Sequence, residues 1–228
     1  MKAFNLKRVS ATTGALALVL SMLALPTPAP AADGYKLHPS GFGEHSYSAW
    51  HAQQGEPDST GNANQALYFQ KMTSTTTFAA GVAVFKGFEG QPTSDVSPLA
   101  FDYRLDGHCG AGAPRFNLRI QPPVGPEETL FFGCNSGMMP GPPPSDPDWQ
   151  RRSTVGALPP GTVVSLAIVF DEGNDVGQGF VYLDNIQVGT HIWTSASDNG
   201  NGDPIISDPT GADVIAGLLG EPLGILFP

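Results

Sequence analysis

The chain has 228 residues, with eleven Lys and Arg against twenty-one Asp and Glu, a formal net charge of −10 and only 14% charged residues. That acidic balance excludes nucleic acid and anionic membrane surfaces as natural partners, because both are bound through clustered Lys and Arg. The length suits one large domain with a real core.

In chain order the first element is a leader. Lys2, Lys7 and Arg8 precede the apolar stretch Gly14–Leu25, and Ala29-Pro30-Ala31 provides an A-x-A cleavage site. Residues 1–32 therefore read as a secretory signal peptide, cleaved after Ala31 or Ala32, and residues 33–228 as a single secreted domain with no membrane span. The leader carries three of the basic residues and none of the acidic ones, so the mature charge falls to about −13.

Gly and Pro supply 28 and 22 residues and fall between short apolar runs rather than within them. Leu99, Phe101, Tyr103 and Leu105 alternate with Ala100, Asp102, Arg104 and Asp106, and Phe116, Leu118 and Ile120 alternate with Arg115, Asn117 and Arg119. Such period-two runs predict strands with one buried and one wet face. Further predicted strands are residues 45–50, 66–72, 77–86, 129–132, 150–155, 163–171 and 179–188. About nine strands separated by turn residues predict an all-β fold, an antiparallel β-sandwich of jelly-roll type. One short C-terminal helix is expected over residues 210–219, capped by Asp208 or Thr210 and stopped by Gly220. The segment Met138–Pro147, with three consecutive prolines, reads as an ordered loop or stiff spacer.

Cys109 and Cys134 are the only cysteines. In an exported chain they predict a disulfide, since they lack the ligand spacing of a zinc site and a paired thiol cannot attack a substrate. If the strands carrying Asp102 and Arg104 and those carrying Arg115, Asn117 and Arg119 are neighbours, their polar residues share a face suited to hydroxyl-rich ligands, or to water alone. Trp149 is the leading candidate for the aromatic that a sugar ring stacks upon, because it follows the Pro-rich loop and precedes Arg151 and Arg152; Trp50, Trp193, Tyr35 and Tyr47 are the others.

In Gly179–Gly189, strand alternation puts Phe180, Tyr182, Ile186 and Val188 on one face with Asp184 among them. A carboxylate there must be hydrogen-bonded, paired or metal-bound. The run Tyr182-Leu183-Asp184-Asn185-Ile186, preceded by Trp149-Gln-Arg-Arg and the strand 163–171, resembles the closing strands of the galactose-binding-like β-jelly-roll superfamily, to which many carbohydrate-binding modules belong. The resemblance implies a structural calcium held by Asp184, with Glu44 as a conceivable partner. A strand bulge in which Asp184 accepts hydrogen bonds explains the residue equally well. The run Asp198–Asp203 fails as an EF-hand loop, since its ligand positions fall on Gly and Pro, and reads as a Gly/Asn turn.

The sequence contains no G-x-S-x-G elbow, H-E-x-x-H, phosphate loop or dinucleotide fingerprint, and its five His residues show no ligand spacing. The leading expectation is an exported, non-catalytic module that binds a polysaccharide or cell-wall glycan through Trp149, Arg151, Arg115, Asn117 and Arg104. The rival is a glycosidase or polysaccharide lyase on the same architecture, and a structural or adhesive surface protein is the third reading.

Overall fold

A computed structural model of the chain describes residues 34–57, 65–110, 112–199 and 205–206. The leader, the C-terminal helix expected over 210–219 and most of the Gly/Asn turn lie outside the described residues. The strands are β1 (Lys36–Phe42), β2 (Ser46–His51), β3 (Ala66–Lys71), β4 (Ala80–Lys86), β5 (Leu99–Arg104), β6 (Arg115–Gln121), β7 (Glu128–Gly133), β8 (Met138–Pro140), β9 (Trp149–Thr154), β10 (Thr162–Phe170), β11 (Phe180–Val188), β12 (His191–Trp193) and β13 (Ile205–Ile206). One 3-10 turn, Ala196–Asn199, interrupts them.

The strands form two sheets. The first runs β1-β4-β10-β6-β7, and the second β13-β2-β3-β11-β5-β9-β8, with β12 beside β11. All pairings are antiparallel except β2 with β13. The chain is therefore an all-β antiparallel sandwich, compatible with a jelly-roll-like architecture. Between the sheets lie Trp50, Phe69, Phe85, Phe101, Phe116 and Trp193, all within one core cluster. Each such side chain contributes roughly 1.5–3 kcal/mol by leaving water.

All nine expected strands are present, with ends shifted by up to three residues. The sequence reading lacked β1, because Pro39 and Gly41 break its pattern. Proline is tolerated there since among the described residues β1 is an edge strand, pairing with β4 alone. Near this edge the sheets approach closely. A Cβ on Gly81 would lie 2.5 Å from the Tyr47 carbonyl oxygen, and the Ser48 hydroxyl crosses the gap to the carbonyls of Ser40 and Val82.

The expectation that β5 and β6 are neighbours is corrected. β5 pairs with β11 and β9, while β6 pairs with β10 and β7 in the opposite sheet. Asp102 and Arg104 thus face outward on one side of the sandwich, and Arg115, Asn117 and Arg119 on the other. A second correction concerns Asp184. Between Asp184 and Gln187 the β11 register against β5 slips by one residue, and Asn185 adopts φ +46°. This bulge reverses the alternation, so Val181 and Leu183 point into the core before it and Ile186 and Val188 after it. Asp184 accordingly stands on the outer face with Tyr182 and Phe180.

Candidate functional site

The residues singled out from the sequence divide between the two outer faces. On the larger sheet, Asp184 lies opposite Asp102, which lies opposite Arg151, and Arg104 lies opposite Trp149. Trp149 is 5% exposed and belongs to the buried outer-face cluster that also holds Tyr68 and Tyr182. The Arg104 guanidinium stacks 3.8 Å from the centre of the Tyr182 ring and bonds both oxygens of Asp106, at 2.8 and 3.0 Å, and Gln54 Oε1 at 2.8 Å. Arg151 donates to Asp102 at 3.0 Å and to Gln187 at 2.6 Å. These guanidinium groups are engaged with the protein itself, and the tryptophan offers no open ring face.

Asp184, 3% exposed, accepts from the backbone N–H of Glu56 at 2.8 Å and of Asn185 at 2.6 Å. Asn185 Nδ2 in turn donates to Asp102 at 2.9 Å and Glu56 at 3.1 Å. Burial pushes the Asp184 carboxyl up to about 7, and Asp102 and Glu56 push in the same direction against the two amide bonds. Asp184 thus accepts hydrogen bonds at the bulge in β11. Glu44 stands elsewhere, exposed in the turn beside His45. Among the described residues no group of three or more His, Cys, Asp or Glu is arranged to hold a metal ion.

The other outer face leads to an open cleft. It encloses about 400 Å³ at the end of the sandwich where β3 leaves, β4 and β6 begin and β10 finishes, and its walls include Thr75, Thr76, Thr77, Phe78, Arg115 and Asp171. Its base is Lys71, which occupies a core-facing position at the last residue of β3 and is 1% exposed. The ammonium donates to the carbonyls of Thr75 at 3.0 Å, Thr77 at 2.7 Å and Asp171 at 2.8 Å, which matches its three protons. Burial lowers the Lys71 pKa, partly offset by Asp171 and Asp175.

The threonine wall is fixed from the outside as well. Asp175 accepts from the Thr75 amide at 2.8 Å, the Thr75 hydroxyl at 2.6 Å and the Ser74 hydroxyl at 3.1 Å. These bonds, those from Thr75 first, hold the Asp175 carboxyl down at about 2. Opposite it, Arg115 grips Asp171 in a two-pronged pair, at 2.6 and 2.7 Å, and its remaining donors reach Asn117 and the Gly112 carbonyl. Glu172 completes that side, accepting from Gly112 N at 2.5 Å and bonded to His108. The Cys109–Cys134 disulfide ties this loop to the turn that follows β7. A Cβ on Gly112 would lie 2.5 Å from Glu172 Oε1, so only glycine leaves room for that contact.

Phe78 stands at the rim, tilted against Phe42 at 4.8 Å between ring centres yet 70% exposed. The cleft thus joins a flat apolar ring, three threonine side chains and an immobilised Arg–Asp pair. Charge is nearly balanced around it, with Lys71 and Arg115 against Asp171, Glu172 and Asp175. Asp171 gives both oxygens to Arg115, and Glu172 bonds an amide and an imidazole, so neither carboxylate is disposed as a solitary acid or base.

Of the sequence candidates only Arg115 lines this cleft, with Asn117 behind it as a bonding partner. Sequence pattern does not single out Phe78, because alternation runs Thr77-Phe78 into the strand that begins at Ala80. It misses Asp171 because only the fold shows that the end of β10 lies beside Arg115. Comparisons with protein-family models, with curated proteins and with solved structures found no match to this chain.

Proposed function

We propose that the protein is an exported, non-catalytic module that binds a neutral glycan, most simply a polysaccharide, in the cleft between Phe78 and Arg115. The observation that carries the reading is the exposed Phe78 ring beside threonine hydroxyls and a wall held rigid by the Arg115–Asp171 pair. A pyranose presents one apolar C–H face and a rim of hydroxyl groups, and it needs these two surfaces together. Balanced charge favours a neutral sugar over a polyanion. The leader and the disulfide support an extracellular setting. Among the described residues no helix is long and apolar enough to cross a membrane. The engaged state of Asp171 and Glu172 favours binding over hydrolysis.

The test is retention on a panel of immobilised neutral polysaccharides, with reducing ends assayed in the same samples. Wild type is expected to be retained by at least one of them without releasing sugar. Phe78→Ala should weaken that binding about tenfold, the size of one aromatic contact, and its exposed position leaves the fold intact. Absence of retention across the panel, or a Phe78→Ala variant equal to wild type, would overturn the glycan reading. Release of reducing ends would instead identify a glycosidase.

A further inference from the structure

We propose that Arg152 anchors a second ligand site, separate from the cleft, which takes an organic carboxylate at the β8–β9 edge of the larger sheet. The site does not depend on a glycan in the cleft. Acidic residues outnumber basic ones by twenty-one to eleven in this chain, and Arg104, Arg115, Arg119 and Arg151 each grip a carboxylate. Among the described residues Arg152 is the one arginine whose guanidinium forms neither an ion pair nor a hydrogen bond.

Strand β9 places its two consecutive arginines on opposite faces. Arg151 points outward, where Asp102 and Gln187 accept from it. Arg152 therefore points toward the facing sheet, and its guanidinium carbon lies 5.8 Å from the centre of the core-facing Tyr103 ring. Phe101 and Pro140 stand opposite it on the two neighbouring strands. Its Nε is sealed from water with no acceptor, whereas its terminal amino groups are not sealed. A half-buried cation in this state has given up hydration without gaining a partner, and the ring face recovers only part of that loss. The empty fold thus carries a donor that an incoming anion would satisfy.

The neighbouring groups show which anion fits. Gln150, two residues along the same face of β9, accepts from the Tyr103 hydroxyl at 2.5 Å through Oε1, which leaves its Nε2 amide without an acceptor. Donors from Arg152 and Gln150 therefore stand on one face. Nε and a terminal amino group of Arg152 lie side by side in one plane, the two-pronged match of a planar carboxylate. A sulfate or phosphate brings more charge and more bound water to an atom flanked by Phe101 and Tyr103, so a singly charged carboxylate is favoured. Uronic acids and N-acyl amino acids both present that group, and separate titrations distinguish them as sources.

The experiment is an NMR titration of the full chain, followed at the Arg152 Nε–H resonance, which the Arg152→Gln spectrum identifies by its loss. The probes are sodium galacturonate and N-acetylglycine, with the neutral methyl ester of galacturonate, sodium sulfate and sodium phosphate as controls at matched ionic strength. At least one carboxylate is expected to shift the resonance saturably, with a Kd of about 10 mM or tighter, and sulfate and phosphate to bind at least about tenfold more weakly. The same carboxylate should raise the wild-type melting temperature but not that of Arg152→Gln, and Arg152→Lys, which keeps the charge and loses the fork, should respond at most weakly. Without ligand, Arg152→Gln should melt at or above the wild-type temperature, because it removes a cation that has no partner. No saturable shift with either carboxylate, or an equal response to sulfate or phosphate, would overturn the carboxylate site. An Arg152→Gln protein that melts well below wild type without ligand would overturn it too, since the arginine would then serve the fold. Retention of Arg152→Gln on the neutral polysaccharide that holds wild type keeps the cleft reading separate from either result.

Discussion

Lys71 makes the most demanding arrangement of any single residue here. An ammonium group sealed from water is costly unless each proton is received, and three backbone carbonyls receive them. Removing the charge leaves those carbonyls without their donor at the buried base of the cleft. Lys71→Met is thus expected to cost at least about 3 kcal/mol, more than its apolar gain returns, measured as the shift in urea midpoint. A variant as stable as wild type would show that water replaces the ammonium freely. Trp149 presents the contrasting case, in which a residue chosen from sequence as a sugar platform proves to be packing. Its exposed neighbours in sequence suggest a surface role, but burial within the outer-face aromatic cluster assigns it to the fold.

At the scale of the element, the disulfide and the β11 bulge show how local features set the cleft and the opposite face. Cys109 and Cys134 are 25 residues apart, and closing a loop of that size restricts the unfolded chain by roughly 3 kcal/mol. Reduction should lower the melting temperature by about 6–12 °C and loosen Gly112 and Glu172 with it. An unchanged melt, or two titratable thiols in the native protein, would refute the pairing. Strands with strict alternation were legible directly, since Leu99–Arg104 and Arg115–Gln121 state their inner faces residue by residue. Three-residue strands such as β8 and β12 are too short to show a period. The bulge at Asn185 was legible only as an anomaly, because one left-handed residue moves Asp184 to the other face and no periodic rule anticipates it. The same limit hid the site. Local pattern places Arg104 and Arg115 on wet faces, while sheet order, a long-range property, decides that these faces point away from each other. Phe78 was hidden for a further reason, since alternation cannot separate the last loop residues from the first of a strand.

The molecule as a whole carries two opposed acid responses on one face of the larger sheet. Burial, reinforced by Arg104, holds His51 down at about 4 against its usual 6.5. Between those values the unfolded chain takes up a proton that the folded chain refuses, so this residue makes stability rise with pH across the window. Burial holds Asp184 up at about 7 against 3.8. Here the folded chain keeps a proton that the unfolded chain releases, so stability falls as pH rises between those values. His191, lowered by burial, adds to the first slope, and Glu56, raised by burial and by Asp102, adds to the second. Each full slope amounts to at most about 1.4 kcal/mol per pH unit, and from pH 4 to 6.5 they oppose. Wild-type stability should therefore be nearly flat there. Asp184→Asn removes one side of the balance, and its urea midpoint should climb with pH between 4 and 6.5. His51→Gln removes the other, and its midpoint should decline over the same range. Midpoint-against-pH curves that run parallel in all three proteins would show that neither group titrates differently on folding. Divergence in the stated directions would place both protonation states, a neutral imidazole and a proton-bearing carboxyl, within the same folded face.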